Sequence, residues 1–375
     1  MSEPDLLIVG ASARAAAISA YKAGRFPICI DQFADFDLRR KFPGQKVGAS
    51  AYPGGIPGLA ASLNKLPFIY TGAMENHLDV LEELQSYHTL HGNTADTCRM
   101  LRDPLGLRAC WNDAGIFHPR VSKPAEIADD SPDRWLLKPV HGSGGQGIRP
   151  FSKGMTMPTD EFYLQQFIAG ESQAAVFLGT GEQSRLVGVT QQLIGEKFLN
   201  AASYSYCGSI GPLEIDQQAL QQWQLIGDAL CERFSLKGLF CVDAICVEDD
   251  IYPVEVNPRY SASVEVLERA YDLSLLDLHF KACEDALSTT IFSSPGVNAK
   301  AYLFAGGRLR SPQDTSRIYN DEGESAETAD IPMPGTIIEK CHPMMTVFAS
   351  ATNVQEAQQA LRRKASLYYN QFSRL

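Results

Sequence analysis

The chain has 375 residues, of which 45% are hydrophobic and 21% are charged, values that are typical of a globular protein with two or three domains. Its net charge of -11 disfavours a nucleic-acid partner, because a phosphate backbone binds basic surfaces. The sequence has neither a long apolar stretch nor a charged leader, so we expect a cytoplasmic protein without membrane contact. The nine cysteines form no C-x-x-C pair, which favours reduced, mostly buried thiols.

The first segment has the pattern of a strand, a turn, a helix and a second strand. Residues 6–9 are apolar, an alanine-rich stretch follows Gly10, and a second apolar run ends at Asp31. A strand that ends in an acidic residue suggests dinucleotide binding, but the three-glycine fingerprint is missing, so we disfavour NAD. Ser12 and Arg14, at the start of the helix, suit either an anionic substrate group or a surface cap.

The next elements are a connector, a strand and two helices. Residues 35–66 are rich in glycine and proline, and this composition predicts a connector with turns. Residues 68–72 are typical of a strand, and leucines at spacing three from residue 78 to residue 84 predict a helix. A further helix ends near Gly115.

A lysine and a glycine-rich loop follow a short apolar run. The run ends at Lys138, and the loop contains Gly142, Gly144, Gly145 and Gly147. Glycines let the backbone turn sharply and approach a ligand with its N–H groups, so the segment suits a phosphate cover. The Gly-Lys-Ser/Thr order of a P-loop is missing, and a glycine-rich loop alone is a weak signal.

The most informative segment is a predicted β-hairpin over residues 240–256, with its turn at residues 248–250. Strand alternation places Asp243 on one strand and Glu255 and Asn257 on the next, all on one face. Two carboxylates and an amide oxygen suit Mg²⁺, which keeps several waters and bridges to phosphates. The alternative is that these are edge charges that discourage strand pairing.

The remaining elements carry no assigned chemistry. Residues 216–234 predict an amphipathic helix whose core stripe includes Leu220, Trp223 and Phe234. Strands are predicted at residues 337–340 and 344–348, and a final helix at residues 354–369. Cys341 and His342 are adjacent on a predicted strand and point apart, which disfavours a nucleophilic pair.

The order and spacing of Lys138, the glycine loop and the segment Glu255-Val256-Asn257-Pro258-Arg259 resemble the ATP-grasp superfamily. The resemblance implies an α/β protein in which two sheets clamp Mg·ATP between them. It also implies a Rossmann-like domain over residues 1–95, an ATP-grasp domain over residues 96–290 and a closing part over residues 291–375. Within the ATP-grasp domain, we expect a lid at residues 121–164 and a larger subdomain at residues 165–290.

The resemblance also implies a set of nucleotide-contacting residues. Residues 162–172 are similar to the family's hinge, in which residues 165–168 face adenine and Glu171 holds the ribose. Many members have a glutamate where Gln165 stands and a second phosphate-binding lysine where Arg102 stands. The predicted nucleotide-contacting residues are Arg102, Lys138, Gly142, Ser143, Gly144, Gly145, Gln165, Gln166, Phe167, Ile168 and Glu171. Two Mg²⁺ ions, or Mn²⁺ in their place, are predicted at Asp243, Glu255 and Asn257.

The reaction implied by the resemblance is amide formation through an acyl-phosphate, with release of ADP and phosphate. Lys138 and Arg259 are the predicted catalytic residues, because Arg259 suits a bridge between carboxylate and phosphate oxygens. An ion pair of Arg259 with Glu265 or Glu268 is the alternative. The Asn-Pro-Arg-Tyr-Ser-Ala form looks like the predicted carboxylate-amine ligases that include tyramine-glutamate ligases.

We therefore expect a small carboxylate and a small amine as substrates, the carboxylate being an amino acid such as glutamate. The predicted acceptor loop spans residues 198–211. A homodimer is one of the oligomeric states left open. A regulatory nucleotide-binding module, a kinase and a carboxylase on the same fold are the alternative functions.

Overall fold

The computed structural model describes residues 3–123, 134–152, 154–155, 161–319 and 326–375. These residues form four β-sheets with helices packed against them, and the predicted α/β class is confirmed. Part of the predicted lid, namely residues 124–133, 153 and 156–160, lies outside the described residues.

The N-terminal sheet is parallel throughout its described strands. The strands are β1 (Leu6–Gly10), β2 (Pro27–Asp31), β3 (Gly44–Lys46), β4 (Pro67–Tyr70) and β5 (Thr89–Leu90). Their spatial order is β3-β2-β1-β4-β5. The helices of this part are α1 (Arg14–Lys22), α2 (Phe36–Lys41), α3 (Ile56–Ala60) and α4 (Leu78–Tyr87). Because β1 is buried along its whole length, it carries a continuous apolar run, as expected for a covered parallel strand. The predicted Rossmann-like start is confirmed.

Two helices lead from this sheet to a small antiparallel sheet. The helices are α5 (Ala95–Leu101) and α6 (Pro104–Asp113). The described strands of the small sheet are β6 (Val121–Ser122), β7 (Trp135–Pro139), β8 (Arg149–Pro150) and β9 (Phe162–Gln166). Trp135, Leu137 and Leu164 form its small buried cluster. Lys138 and Gln165 lie on the two neighbouring strands β7 and β9.

The large sheet is antiparallel and contains the predicted hairpin. Its described strands are β10 (Glu171–Thr180), β11 (Ser184–Ile194), β12 (Tyr206–Gly211), β13 (Lys237–Val247), β14 (Asp250–Asn257), β15 (Val297–Phe304), β17 (Thr328–Ala329) and β19 (Pro343–Ala351). Their order is β14-β13-β10-β11-β12-β15-β19-β17. A further small sheet joins β16 (Leu309–Arg310), β18 (Ile337–Ile338) and β20 (Ser373–Arg374).

Four helices pack near the large sheet, and one core cluster joins this part of the chain to the N-terminal part. The helices are α7 (Gln217–Phe234), α8 (Ala262–Tyr271), α9 (Leu275–Cys283) and α10 (Val354–Tyr369). Ile8 and Ala16 of the N-terminal part share a buried cluster with Val264 and Leu275, on α8 and α9. The N-terminal part and the part with the large sheet therefore share a continuous core.

Three local predictions need correction. Residues 35–66 contain α2, β3 and α3 in addition to turns, and Pro57 occupies the first turn of α3, where proline is tolerated. The second half of the predicted loop 198–211 is the strand β12, in which Gly208 allows close approach to the Lys300 carbonyl. Leu220 is 38% exposed, because the first turn of α7 lies at the surface. No helix in the described part of the chain is long and apolar enough to cross a membrane.

Candidate active site

The predicted hairpin is confirmed, and it brings the three predicted metal ligands together. Asp243 on β13 lies directly opposite Glu255 on β14, and Asn257 lies two residues further along β14. The Asn257 amide donates to Asp243 Oδ2 over 3.3 Å, and the Gln192 amide of β11 donates to Asp243 Oδ1 over 3.0 Å. The hairpin turn is tight, with Glu248 in the left-handed region at φ 51°.

The electrostatics of this donor set suit a cation. Burial and the neighbouring Glu255 carboxylate raise the pKa of Asp243 to about 7, so a second negative charge here is costly. Among the described residues, no three His, Cys, Asp or Glu side chains lie at metal-binding distances from one another. Two carboxylates and one amide oxygen fit Mg²⁺ only if phosphate oxygens and waters complete the shell, which is the usual arrangement for this ion.

Lys138 is the predicted phosphate-binding lysine, and it lies across the cleft from the hairpin. It is 7% exposed on β7, and its Nζ donates to Gln165 Oε1 over 3.0 Å and to the Val254 carbonyl over 3.3 Å. Both hydrogen-bond acceptors are neutral, and the ammonium charge acts on the nearby Asp243 carboxylate, whose pKa it lowers. The role of Gln165 in holding Lys138 was not anticipated from the sequence.

Two arginines flank the hairpin carboxylates and share one buried partner. Arg102 contacts Glu255 Oε1 over 3.3 Å and Glu75 Oε1 over 3.1 Å. Arg259 contacts Glu75 Oε1 over 2.8 Å and donates to Asn257 Oδ1 over 3.2 Å. Burial alone would raise the pKa of Glu75, but the two guanidinium groups hold it below its ordinary value.

The partner of Arg259 differs from the expected alternative. Glu265 instead pairs with Arg14 and Lys300, and Glu268 accepts a hydrogen bond from Tyr260 over 2.7 Å. Glu75 was missed in the sequence because it lies in a short turn outside any periodic pattern. The large separation in sequence between Glu75 and Arg259 left no local signal for their contact.

The glycine loop covers one side of the cleft and is docked at both ends. The Asn76 amide donates to the Gly142 carbonyl over 3.0 Å, and the Tyr206 N–H donates to the Gly144 carbonyl over 3.1 Å. Gly144 and Gly145 have φ values of 60° and 79°, in the left-handed region. A Cβ at Gly145 would lie 1.8 Å from the Tyr204 carbonyl oxygen, so this close approach requires glycine.

One cavity lies between the loop, the small sheet and the hairpin. Its lining includes the loop, both strands of the small sheet next to it and the hairpin, namely Arg102, Lys138, Gly142, Ser143, Gly145, Tyr163, Val254 and Glu255. The free volume of this partly open cavity is about 40 Å³, which holds a few waters.

The predicted hinge connects the small sheet to the large sheet. The N–H groups of Gln166 and Phe167 donate to the carbonyls of Arg120 and Arg134, so these two amides are already used within the protein. The Arg134 guanidinium stacks on the Phe167 ring, 4.2 Å from its centre. Glu171 is exposed at the start of β10.

Arg14 does not form the anion site or the surface cap that the sequence suggested. Its side chain is 3% exposed and pairs with Glu265 and Asp330, while Asp31 accepts a hydrogen bond from the Ala13 N–H over 2.6 Å. Ser12 contributes no hydrogen bond that caps α1. The helix start is therefore satisfied by groups of the protein itself.

Residues 111–263 match the family model of the ATP-grasp domain. This range contains Lys138, the hinge and the hairpin, and two sheets enclose the cleft between them. Residues 111–263 therefore match the ATP-grasp domain, and for these residues the resemblance noted in the sequence is confirmed. An uncharacterized protein of Methanocaldococcus jannaschii is 24% identical over 225 residues, which make up 57% of this chain and 50% of that relative. The match thus spans about half the length of this curated relative.

Solved structures share the fold over nearly the whole chain. The L-amino acid ligase of Bacillus licheniformis has a TM-score of 0.70 at 13% identity, covering 99% of this chain and 98% of that chain. N5-carboxyaminoimidazole ribonucleotide synthetase of Thermotoga maritima has a TM-score of 0.67 at 14% identity, with 99% of both chains covered. The biotin carboxylase domain of Hydrogenobacter thermophilus 2-oxoglutarate carboxylase has a TM-score of 0.74 at 14% identity, covering 97% and 90%. At these identities, the likeness establishes the fold.

Proposed function

We propose that this protein is an ATP-dependent ligase that joins a small carboxylate to a small amine and releases ADP and phosphate. The observation that carries the proposal is that Lys138 and Arg102 line one cleft with Glu255, and that Arg259 contacts Asn257 on the same hairpin. Lys138, Arg102 and Arg259 supply the cations, and all three have buried side chains. Phosphoryl transfer needs positioning and charge neutralisation, which this arrangement provides.

In the proposed complex, the nucleotide lies between the two sheets. Lys138 and the N–H groups of the loop at residues 142–145 face the phosphates, with Arg102 on the opposite side. Adenine lies against the hinge at residues 165–168, where Ile168 offers its backbone groups, since the amides of Gln166 and Phe167 are already used. Glu171 faces the ribose hydroxyls.

Asp243, Glu255 and Asn257 would hold Mg²⁺, with Mn²⁺ as a substitute. When bound, the ions neutralise the phosphate charge and orient the terminal phosphate for transfer. The chain's own contribution is to fix the donor oxygens, and Gln192 does so for Asp243 through a hydrogen bond of 3.0 Å. The resemblance to other ATP-grasp proteins suggests two ions.

The proposed chemistry has two steps. A substrate carboxylate oxygen attacks the γ-phosphorus, and the bond to the bridging oxygen breaks, so that ADP leaves and an acyl-phosphate remains. The amine nitrogen then attacks the acyl carbon. The bond from this carbon to the oxygen that it shares with the phosphate breaks, phosphate leaves with that oxygen, and the amine releases a proton. Arg259 holds the carboxylate beside the phosphate and stabilises the charge that develops between them.

Names of several proteins of this fold support a ligase and leave its substrates open. They include an L-amino acid ligase and a phosphoribosylamine–glycine ligase, which favour an amino-acid carboxylate and an amine. Biotin carboxylase structures support a carboxylase as the second candidate, because one of them was solved with MgADP and bicarbonate. That structure is also described as a dimer, so a homodimer is a proposal for this chain.

Two measurements test the proposal. In the first, the melting temperature is measured with Mg·ATP and, separately, with NAD. A hundredfold excess of ATP over its dissociation constant should stabilise the folded state by about 2.7 kcal/mol, and NAD should give no shift. A shift with NAD and none with ATP would overturn nucleotide recognition of the proposed kind.

In the second measurement, phosphate release is followed over a panel of carboxylates, including bicarbonate and glutamate, each with and without a panel of amines. Turnover that needs both a carboxylate and an amine supports the ligase. Turnover with bicarbonate and no amine favours the carboxylase, and ATP consumption with neither substrate contradicts both. Release of AMP and pyrophosphate would reject the acyl-phosphate route.

A further inference from the structure

A carboxylate from the Rossmann-like part of the chain lies inside the candidate active site. Glu75 belongs to a short helical turn, Met74–Asn76, that follows β4. It is 1% exposed, although the residues around it include Asn76 and His77, which are half-buried. A carboxylate as buried as this one is stable only if cations and hydrogen bonds compensate its charge.

Both predicted phosphate-site arginines supply that compensation. Glu75 Oε1 accepts from Arg102 over 3.1 Å and contacts Arg259 Nη2 over 2.8 Å, while Glu75 Oε2 accepts from Arg259 Nε over 2.9 Å. One carboxylate therefore fixes two guanidinium groups that come from different elements, the end of α5 and the segment after β14.

The other edges of the same arginines contact the predicted metal ligands. Arg102 Nη1 donates to Glu255 Oε1 over 3.3 Å, and Arg259 Nη2 donates to Asn257 Oδ1 over 3.2 Å. These oxygens are the ones that a cation would need. Each arginine thus divides its hydrogen bonds between Glu75 and a donor oxygen of the metal-type set.

The negative charge of Glu75 limits how strongly the two arginines bind the oxygens of Glu255 and Asn257. With Glu75 in place, the arginines have a strong permanent partner, and their contacts to Glu255 and Asn257 are the longer ones. Without the Glu75 charge, the carboxylates left near the two buried guanidinium groups would be those of the hairpin, Glu255 and Asp243. The guanidinium groups would then compete with a metal ion for the same oxygens.

We propose that Glu75 is a positioning residue that takes the shorter contacts of Arg102 and Arg259, so that their longer contacts to Glu255 and Asn257 give way to the cation that accompanies the nucleotide. This inference rests on the proposed function. It deepens that function by assigning the N-terminal part of the chain a direct role in metal affinity.

The test is metal affinity measured apart from turnover. Free Mn²⁺ is followed by electron paramagnetic resonance while it is titrated into full-length protein with saturating ADP. Glu75→Gln keeps the shape and removes the charge, and it should weaken Mn²⁺ binding tenfold to a hundredfold, the usual range for residues that orient metal ligands. Glu83→Gln, on the exposed face of α4, is the matched control and should bind Mn²⁺ as the wild type does.

A purely structural role would lower the melting temperature of Glu75→Gln and leave Mn²⁺ affinity within about twofold of wild type, and this outcome would overturn the inference. If Glu75→Gln does not fold, Glu75→Asp decides, because it keeps the charge but shortens the reach to the two arginines. Unchanged Mn²⁺ affinity in a folded Glu75→Asp would then contradict the inference. If the wild type itself binds no Mn²⁺ with ADP, the proposed function fails instead.

Discussion

The docked glycine loop makes a quantitative prediction about nucleotide affinity. Gly144 and Gly145 both have left-handed φ values, 60° and 79°, so alanine at either position costs about 1–2 kcal/mol of backbone strain. Their surroundings differ. A Cβ at residue 145 would lie 1.8 Å from the Tyr204 carbonyl oxygen, whereas a Cβ at residue 144 meets nothing within 4 Å. The pair of variants therefore separates steric contact from backbone strain.

The steric contact should add about 1–3 kcal/mol at residue 145, the usual cost of overpacking. The loop can avoid that cost by leaving its docked position, because it is held there by a few hydrogen bonds to Asn76 and Tyr206. If the docked loop covers the bound phosphates, the affinity for Mg·ADP should fall about 5-fold to 150-fold further in Gly145→Ala than in Gly144→Ala.

Isothermal calorimetry with Mg·ADP measures both affinities without knowledge of the other substrates. The melting temperatures of the two free variants should be similar, because residues 142–147 lie outside the buried clusters of the described chain. Equal affinities in the two variants, or tighter binding by Gly145→Ala, would refute the assignment of the docked loop as the nucleotide-covering conformation.

Three further predictions concern the hairpin, the proposed acyl transfer and a buried histidine. Glu255→Gln and Asn257→Ala should each lower turnover on the order of a hundredfold or more with the fold intact. Asp249→Asn, at the exposed turn, should leave turnover unchanged. Near wild-type turnover in the first two variants would mean that the hairpin has only a structural role. Hydroxylamine should trap a hydroxamate only with ATP, Mg²⁺ and the correct carboxylic acid, and the yield should fall strongly in Arg259→Ala, so an undiminished yield would remove Arg259 from the mechanism. Burial lowers the pKa of His279 from 6.5 to about 4, so its stabilising contribution is complete above pH 6.5 and is lost as the pH falls towards 4. The difference in unfolding free energy between wild type and His279→Gln should accordingly shrink by about 3 kcal/mol from pH 7 to pH 4, and a difference independent of pH would contradict the shift.

The parts of the site that were predictable depend on local rules. Strand alternation is enough to place Glu255 and Asn257 on one face, because side chains two residues apart share a face. Asp243 joins them only because the strand register shifts between Asp243 and Ala244, which sets Asp243 opposite Glu255. Lys138 and its loop are contiguous in the sequence, so their proximity follows from the chain itself. The class of fold followed from the same segments.

The parts that were missed depend on contacts between distant segments. Glu75 meets Arg259 only because the Rossmann-like part packs against the large sheet, and Gln165 meets Lys138 only because β7 pairs with β9. The alternative partners expected for Arg259 were wrong for the same reason. Glu265 is only six residues from Arg259 in the sequence, but it pairs with Arg14 and Lys300, which come from other elements.

Among the described residues, two groups of buried cations have different partners: Arg14 with Lys300, and Arg102 with Arg259. Arg14 pairs with Glu265, Asp330 and Asp37, and Lys300 pairs with Glu265, so each of these carboxylates already has a cationic partner. Removing one member would leave an uncompensated buried charge. Arg102 and Arg259 differ from Arg14 in their partners. Arg102 donates a hydrogen bond to Glu255, which lines the cavity, and Arg259 donates one to Asn257, which lies on the same hairpin. A guanidinium group that shares its partner with a metal-type donor set can exchange that partner for a phosphate oxygen at little cost, since one charged contact replaces another. Arg102 and Arg259 are therefore suited to nucleotide chemistry because their contacts to Glu255 and Asn257 are exchangeable, and not because of their burial or charge alone.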